Sequence, residues 1–193
     1  QSTAVLGTSN ILCSVVYNNY LVVAGANGRV GSFDGTNWKY YDGTGIGIGP
    51  YANGLLGGNQ INCMVIYGTN LVVGGGGGRI ASFNGSQWLD YNTSGTGLWN
   101  NATVVSTDNI TAMYVWLDAS NNVTHLIIGG SAGKLGSWDG AAWRLYNGTV
   151  GIYNNATLIG AVQINTITAF ANAVGGATIL VAGASGRLGS LQF

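Results

Sequence analysis

The chain has very little charge: six basic and six acidic side chains in 193 residues, or 6% of the total, where roughly a quarter is usual in globular proteins. Every acid is an aspartate (Asp34, Asp42, Asp90, Asp108, Asp118 and Asp139), and glutamate is absent. With a formal net charge of zero, the sequence lacks the field that draws a protein to nucleic acid or to an anionic membrane surface. It has one histidine, His125, and two cysteines, Cys13 and Cys63. That inventory suits no zinc pattern, so no metal and no cofactor is expected. General acid–base chemistry, which calls on histidine or paired carboxylates, has little to work with. No apolar run reaches the roughly 18 residues of a membrane-spanning helix, and helical periodicity is missing.

What is plentiful is glycine, 34 residues of it, within a composition that is 47% hydrophobic. A chain so apolar and so weakly charged is expected to be sticky in isolation. Its exterior therefore has to be covered by sugars or by other molecules. Seven N-x-S/T sequons, at Asn84, Asn92, Asn101, Asn109, Asn122, Asn147 and Asn155, offer acceptors for such a coat. Gln1 opens the chain with no basic or apolar leader, as expected once a secretion signal has been removed. These features point to an extracellular glycoprotein, secreted or at the cell surface.

The sequence repeats itself with a period of about 50 residues. Leu21-Val-Val-Ala-Gly returns as Leu71-Val-Val-Gly-Gly, Leu126-Ile-Ile-Gly-Gly and Ile179-Leu-Val-Ala-Gly. Each run is followed by a glycine, a base and an aliphatic residue, with Arg29, Arg79, Lys134 and Arg187 at the equivalent position. Then comes Ser32-Phe-Asp-Gly-Thr-Asn-Trp38, repeated with variation at 82–88 and 137–143. Upstream, Ile11 to Tyr17 matches Ile61 to Tyr67, Ile110 to Trp116 and Ile164 to Phe170. The units run approximately over 4–53, 54–103, 104–157 and 158–193 of a single domain. Each reads as four short strands, in the second unit Ile61 to Tyr67, Leu71 to Val73, Arg79 to Phe83 and Gln87 to Tyr91. The last two flank Asn84-Gly85, a strong signal for a type I′ hairpin turn with positive φ at both central residues. The expected fold is all-β, four antiparallel four-stranded blades in a propeller-like array with the last blade incomplete. The fourth unit carries no Asp-Gly turn and no tryptophan strand.

These motifs resemble the kelch-like and Rax2-like secreted propeller repeats, whose signature is a Gly-Gly strand followed by (W/F)-D-G-x-x-W. They are also faintly similar to the Asp-box hairpin of sialidases, although the serine-to-tryptophan spacing here is one residue short. The resemblance covers nearly the whole chain and implies a blade hairpin. It implies no particular function, and the arginine cluster, tyrosine and acids of a sialidase are not recognisable.

Several residues are candidates for function. Cys13 and Cys63 occupy equivalent positions of adjacent units, where a disulfide in an oxidising compartment stands against two buried thiols. The four recurrent bases form either a ring for an anion or acidic sugar, or architectural donors to loop carbonyls; recurrence in every unit favours architecture. Trp38, Trp88 and Trp143 read as packing residues. Trp99-Asn100 and Tyr153-Asn154 lie in matching loops, with Tyr51 in a looser third copy. Aromatics beside amides suit sugar stacking, and equally suit anchoring in a neighbouring subunit. The unpaired edge of the last blade would be filled by the segment Gln1, Ser2, Thr3, Ala4, Val5 and Leu6, in cis or donated by a neighbour. Asp34 and Asp139 are turn residues, replaced by Asn84 in the second unit, as no catalytic acid would be. The run Gly74 to Gly78 lacks the lysine and helix of a phosphate loop. No catalytic residue is assigned. The expected function is a self-assembling extracellular structural subunit, partnered by copies of itself. A lectin-like glycan-binding module is the alternative, and a divergent glycan-processing enzyme stands well behind.

Overall fold

The computed structural model describes residues 4–91, 104–118, 122–145, 158–171 and 177–192. They form four separate antiparallel sheets, one in each repeat unit. The first contains β1 (Ile11–Tyr17), β2 (Tyr20–Gly25), β3 (Val30–Phe33) and β4 (Trp38–Lys39) in sequential order. The second contains β5 (Ile61–Tyr67), β6 (Asn70–Gly75), β7 (Ile80–Phe83) and β8 (Trp88–Leu89). A short strand, β9 (Val104–Thr107), precedes the third sheet of β10 (Ile110–Asp118), β11 (Val123–Gly130), β12 (Leu135–Trp138) and β13 (Trp143–Arg144). The fourth has three strands among the described residues: β14 (Ile164–Ala171), β15 (Ala177–Gly183) and β16 (Leu188–Gln192). The all-β blade architecture with an incomplete last blade is therefore as the repeats imply.

The second strand of every sheet is a continuous aliphatic run, and in the first three sheets both of its faces are covered. In β2, Val22 and Ala24 face the second sheet, while Val23 turns the other way onto Val5 and Leu6. Three cores result, one between each pair of neighbours. Tyr17, Val22 and Val30 meet Ile61, Leu71 and Val73. Val72 and Ile80 meet Ile110, Leu126 and Ile128. Trp116, Ile127 and Leu135 meet Ile164, Ile179 and Val181. The first strands pack side by side, β1 on β5, β5 on β10 and β10 on β14; among the described residues no comparable packing joins β14 to β1.

The β3–β4 type of hairpin differs from the two-residue type I′ turn that the Asp-Gly and Asn-Gly pairs predict. Phe33 pairs with Trp38, Phe83 with Trp88 and Trp138 with Trp143, leaving four loop residues in each case. Only the glycine takes positive φ, 97° at Gly35, 98° at Gly85 and 94° at Gly140. The preceding side chain holds the turn: Asp34 Oδ1 accepts the N–H groups of Thr36 (2.9 Å) and Asn37 (2.7 Å). Asn84 and Asp139 repeat this with Ser86 and Gln87, and with Ala141 and Ala142. One acceptor oxygen is all the turn needs, so Asp and Asn interchange.

Candidate functional site

All six bases have a partner within the chain, although Arg187 and the Arg144 side chain remain exposed. Arg29 donates to Leu6 O and Ser9 Oγ, each at 3.0 Å, and lies 4.0 Å from the Tyr41 ring. Arg79 repeats the pattern on Leu56 O (2.7 Å) and Tyr91 (4.0 Å), and Arg187 donates to Ile159 O at 3.0 Å. Lys134, at the same position of the third unit, pairs with Asp108 at 2.6 Å. Each of the three arginines clamps the aliphatic linker that enters its own unit through a carbonyl, while Lys134 holds a carboxylate instead. Of the other two bases, Arg144 pairs with Asp139 at 2.8 Å and Lys39 lies 5.1 Å from the Tyr51 ring.

The aspartates are similarly occupied. The N–H groups of Asn37 and Thr36 hold the Asp34 carboxyl below its ordinary value. At Asp139 burial opposes ionisation, but the N–H groups of Ala142 and Ala141, together with Arg144, lower its pKa. Asp42 accepts from Thr44, and Asp90 from the N–H groups of Leu56 and Tyr91. The single histidine, His125, is buried and stacked on Trp116 with ring centroids 5.4 Å apart. Burial lowers its pKa, with Asp118 and Asp139 acting in the opposite direction.

The bridge weighed for Cys13 and Cys63 is not formed: both are free thiols. Each sulfur turns to backbone carbonyls instead. Cys13 Sγ lies 3.9 Å from Ala24 O and from Ile61 O, and Cys63 Sγ 3.6 Å from Gly74 O. Burial raises the Cys13 pKa to about 12. Cys63 is raised as well, by burial first and by Cys13 second.

The segment 1–6, weighed as a closing or donated strand, is already in use where it is described. Ala4 to Gly7 is a turn closed by Gly7 N–H on Ala4 O (2.8 Å), and Val5 and Leu6 are buried on the first sheet. Leu55–Leu56, Val104–Val105 and Leu158–Ile159 occupy the matching linkers. Val5 sits so close to β3 that a Cβ at Gly31 would come within 2.3 Å of it, as a Cβ at Gly136 would come within 2.2 Å of Val104. Gln1, Ser2 and Thr3 lie outside the described residues, as do Trp99, Asn100, Tyr153, Asn154, Asn92, Asn101, Asn147 and Asn155. Of the remaining sequons, Asn84, Asn109 and Asn122 are exposed. Tyr51 keeps 45% of its surface, while its carbonyl accepts from Trp88 Nε1 at 2.9 Å.

What sequence reasoning missed lies at the two ends of the array. Ile11 is 55% exposed where Ile61, Ile110 and Ile164 are fully buried, and Leu188 is 66% exposed where Val30, Ile80 and Leu135 are fully buried. Each end unit repeats the apolar pattern of the internal ones, and among the described residues no neighbouring sheet covers it. A position-by-position alignment of the units, with the outward faces asked about, would have found both.

No family model matches the chain, and no curated protein does. Solved structures do. The computationally designed Ika4 protein is similar over all of this chain and 99% of its own, with a TM-score of 0.58 at 12% identity. The designed Ika8 protein matches over 97% of this chain and 48% of its own, with a TM-score of 0.56 at 13% identity. BBS1N, solved in complex with ARL6DN, matches over 98% of this chain and 57% of its own, with a TM-score of 0.54 at 19% identity. The likeness is one of fold. This chain shares a propeller-like repeat of β-sheets with those proteins, and spans about half the length of the latter two.

Proposed function

We propose that this protein is a non-catalytic, extracellular structural subunit that assembles with copies of itself into a filament, sheath or surface layer. The observation that carries the reading is the use made of its charge. Each of the six bases is held by a carbonyl, carboxylate or ring of the same chain, and the aspartates serve turns, linkers and ion pairs. Solubility of a monomer ordinarily rests on charges that face water. The few charges at the surface, Asp42, Arg187 and the Arg144 guanidinium among them, are already partnered within the chain, so the exterior is dominated by amides, hydroxyls and apolar groups, suited to contact with sister molecules. Glycans on Asn84, Asn109 and Asn122 would cover the flanks. The edge of β16, which has no partner strand beyond β15 among the described residues, offers one route of assembly, by strand exchange.

A lectin-like module is the second reading, supported by the exposed Tyr51 ring beside Lys39, an aromatic face of the kind sugars stack on. The two readings separate in one preparation of secreted protein, viewed by negative stain and applied to a glycan array. Polymers without glycan signals support the structural subunit. A dispersed monomer with reproducible glycan signals that Tyr51→Ala abolishes supports the lectin.

A further inference from the structure

The three internal joints define a rule. A small residue on the second strand of one sheet receives an isoleucine from the first strand of the next. Cβ atoms at Gly74 and Gly129 would lie 3.0 Å and 2.6 Å from Cγ2 of Ile110 and Ile164, so these glycines are sockets for those isoleucines. In the first joint the socket position is Ala24, fully buried within the same core as Ile61. Around each socket the aliphatic that pairs with it on the third strand (Val30, Ile80 or Leu135) is fully buried in the joint. A polar tie runs in the same direction: Asn62 Nδ2 donates to Ile110 O at 2.8 Å, and Thr111 Oγ1 donates to Ile164 O.

The fourth unit presents a copy of this apparatus that no described residue occupies. Ala182 is its socket, and Leu188 pairs with it, 66% exposed. The polar tie is also set. Gln60 Nε2 donates to Asn62 Oδ1 at 2.8 Å in the second unit, and Gln163 Nε2 donates to Asn165 Oδ1 at the same 2.8 Å in the fourth. No described residue accepts from Asn165 Nδ2. The first unit presents the other half. Ile11 is 55% exposed and Leu21 is 38% exposed, where Leu71, Leu126 and Ile179 are fully buried.

We infer that the fourth sheet of one molecule and the first sheet of a second molecule are the two halves of one interface. Ile11 of one copy seats on Ala182 and Leu188 of the other, with Asn165 Nδ2 donating to Ile11 O, and the contact continues the internal stacking head to tail. The inference rests on the self-assembly reading above and specifies its joint. It differs from strand exchange, since sheet faces meet and β16 gains no partner strand. The contact is heterologous, so it closes into a ring or runs on as a fibre according to its rotation. The end faces are also softer than the internal ones. Ser14 replaces Met64, Met113 and Ile167, and Thr166 and Thr168 stand where inner units carry Cys or Ala and Val or Tyr. That suits a joint formed between molecules already folded.

The test uses the full chain with two variants, Ile11→Lys and Leu188→Glu, each placing a charge on one end face only. Both positions are exposed in the single molecule, and circular dichroism checks that each variant folds as the parent does. By sedimentation velocity the parent associates as concentration rises, and each variant alone loses association by about a hundredfold or more in dissociation constant. Mixed together, the two variants form one-to-one pairs, because each retains the half the other lacks. Association of the parent into a closed ring that both variants abolish upholds the joint and overturns the filament. Polymers that survive in both variants overturn the joint and leave the self-assembly reading standing. A parent that stays monomeric at every concentration overturns both.

Discussion

A single side chain, the base that stands just before each third strand, ties a linker to its unit. Arg79 spans from β7 to the carbonyl of Leu56 and stacks on Tyr91, so its loss removes a charged hydrogen bond and leaves a buried acceptor. Arg79→Met is expected to destabilise the chain by about 2 kcal/mol. That is a fall of roughly 4–8 °C in melting temperature for a protein of this size. Arg79→Lys recovers part of it, as Lys134 in the third unit already shows a lysine to be workable there with Asp108 as its partner. The equivalence of the four bases was legible in the sequence, and so was their architectural role. Their partners were not, because backbone carbonyls leave no signature in residue identity.

The thiols make a second test at this scale. Burial holds Cys13 protonated up to about pH 12, whereas an unfolded thiol ionises near pH 8.5. Since the folded pKa is the higher one, the stability contributed is complete below about pH 8.5 and declines as pH rises from there toward 12. Urea unfolding midpoints should fall across that alkaline range, and Cys13→Ser with Cys63→Ser should flatten the decline. Ellman's reagent should meet both thiols slowly in the native protein and fast in urea. A Cys13–Cys63 disulfide isolated from the native protein would contradict the two free thiols.

At the scale of the element, the β3–β4 hairpin and its equivalents depend on one side-chain oxygen and one glycine. Asn84→Asp should leave stability near neutral pH unchanged, while Asn84→Ala should cost about 1 kcal/mol, as loss of a capping oxygen does. The aspartate versions carry a pH signature. The Asp34 and Asp139 pKa values are lowered in the fold, so their contribution is present above the unfolded value near 4 and disappears as pH falls through the folded values. Asp34→Asn combined with Asp139→Asn should shift the acid unfolding midpoint, read by tryptophan fluorescence, to lower pH. The hairpins themselves were evident from Asp-Gly and Asn-Gly between apolar strands. The turn type was not. The dipeptide alone suggests a two-residue loop, and only the Phe33–Trp38 pairing reveals that four residues are spanned.

For the whole molecule, the joints between sheets set the shape, and they rely on close approach. Gly129→Val would drive a side chain into Ile164, whose Cγ2 already lies 2.6 Å from the position of a Cβ there. Overpacking of that kind costs about 1–3 kcal/mol, which would appear as an early transition of the fourth unit in calorimetry. The period, the strand order and the short last sheet were all readable from self-similarity. The end faces were not, since Ile11 is the same residue as its buried equivalents and differs only in having no neighbouring sheet against it among the described residues. Sequence repeats report what each unit offers, and the packing of the sheets decides which offers are taken up.

The claim on which the account turns is that this charge-poor array is completed by other copies of itself. Electron microscopy of the purified chain tests it most directly. The account predicts end-to-end assemblies in which blades follow one another without a gap, repeating every four. Isolated four-unit particles at every concentration, with Ile11 and Leu188 left in water, would contradict it.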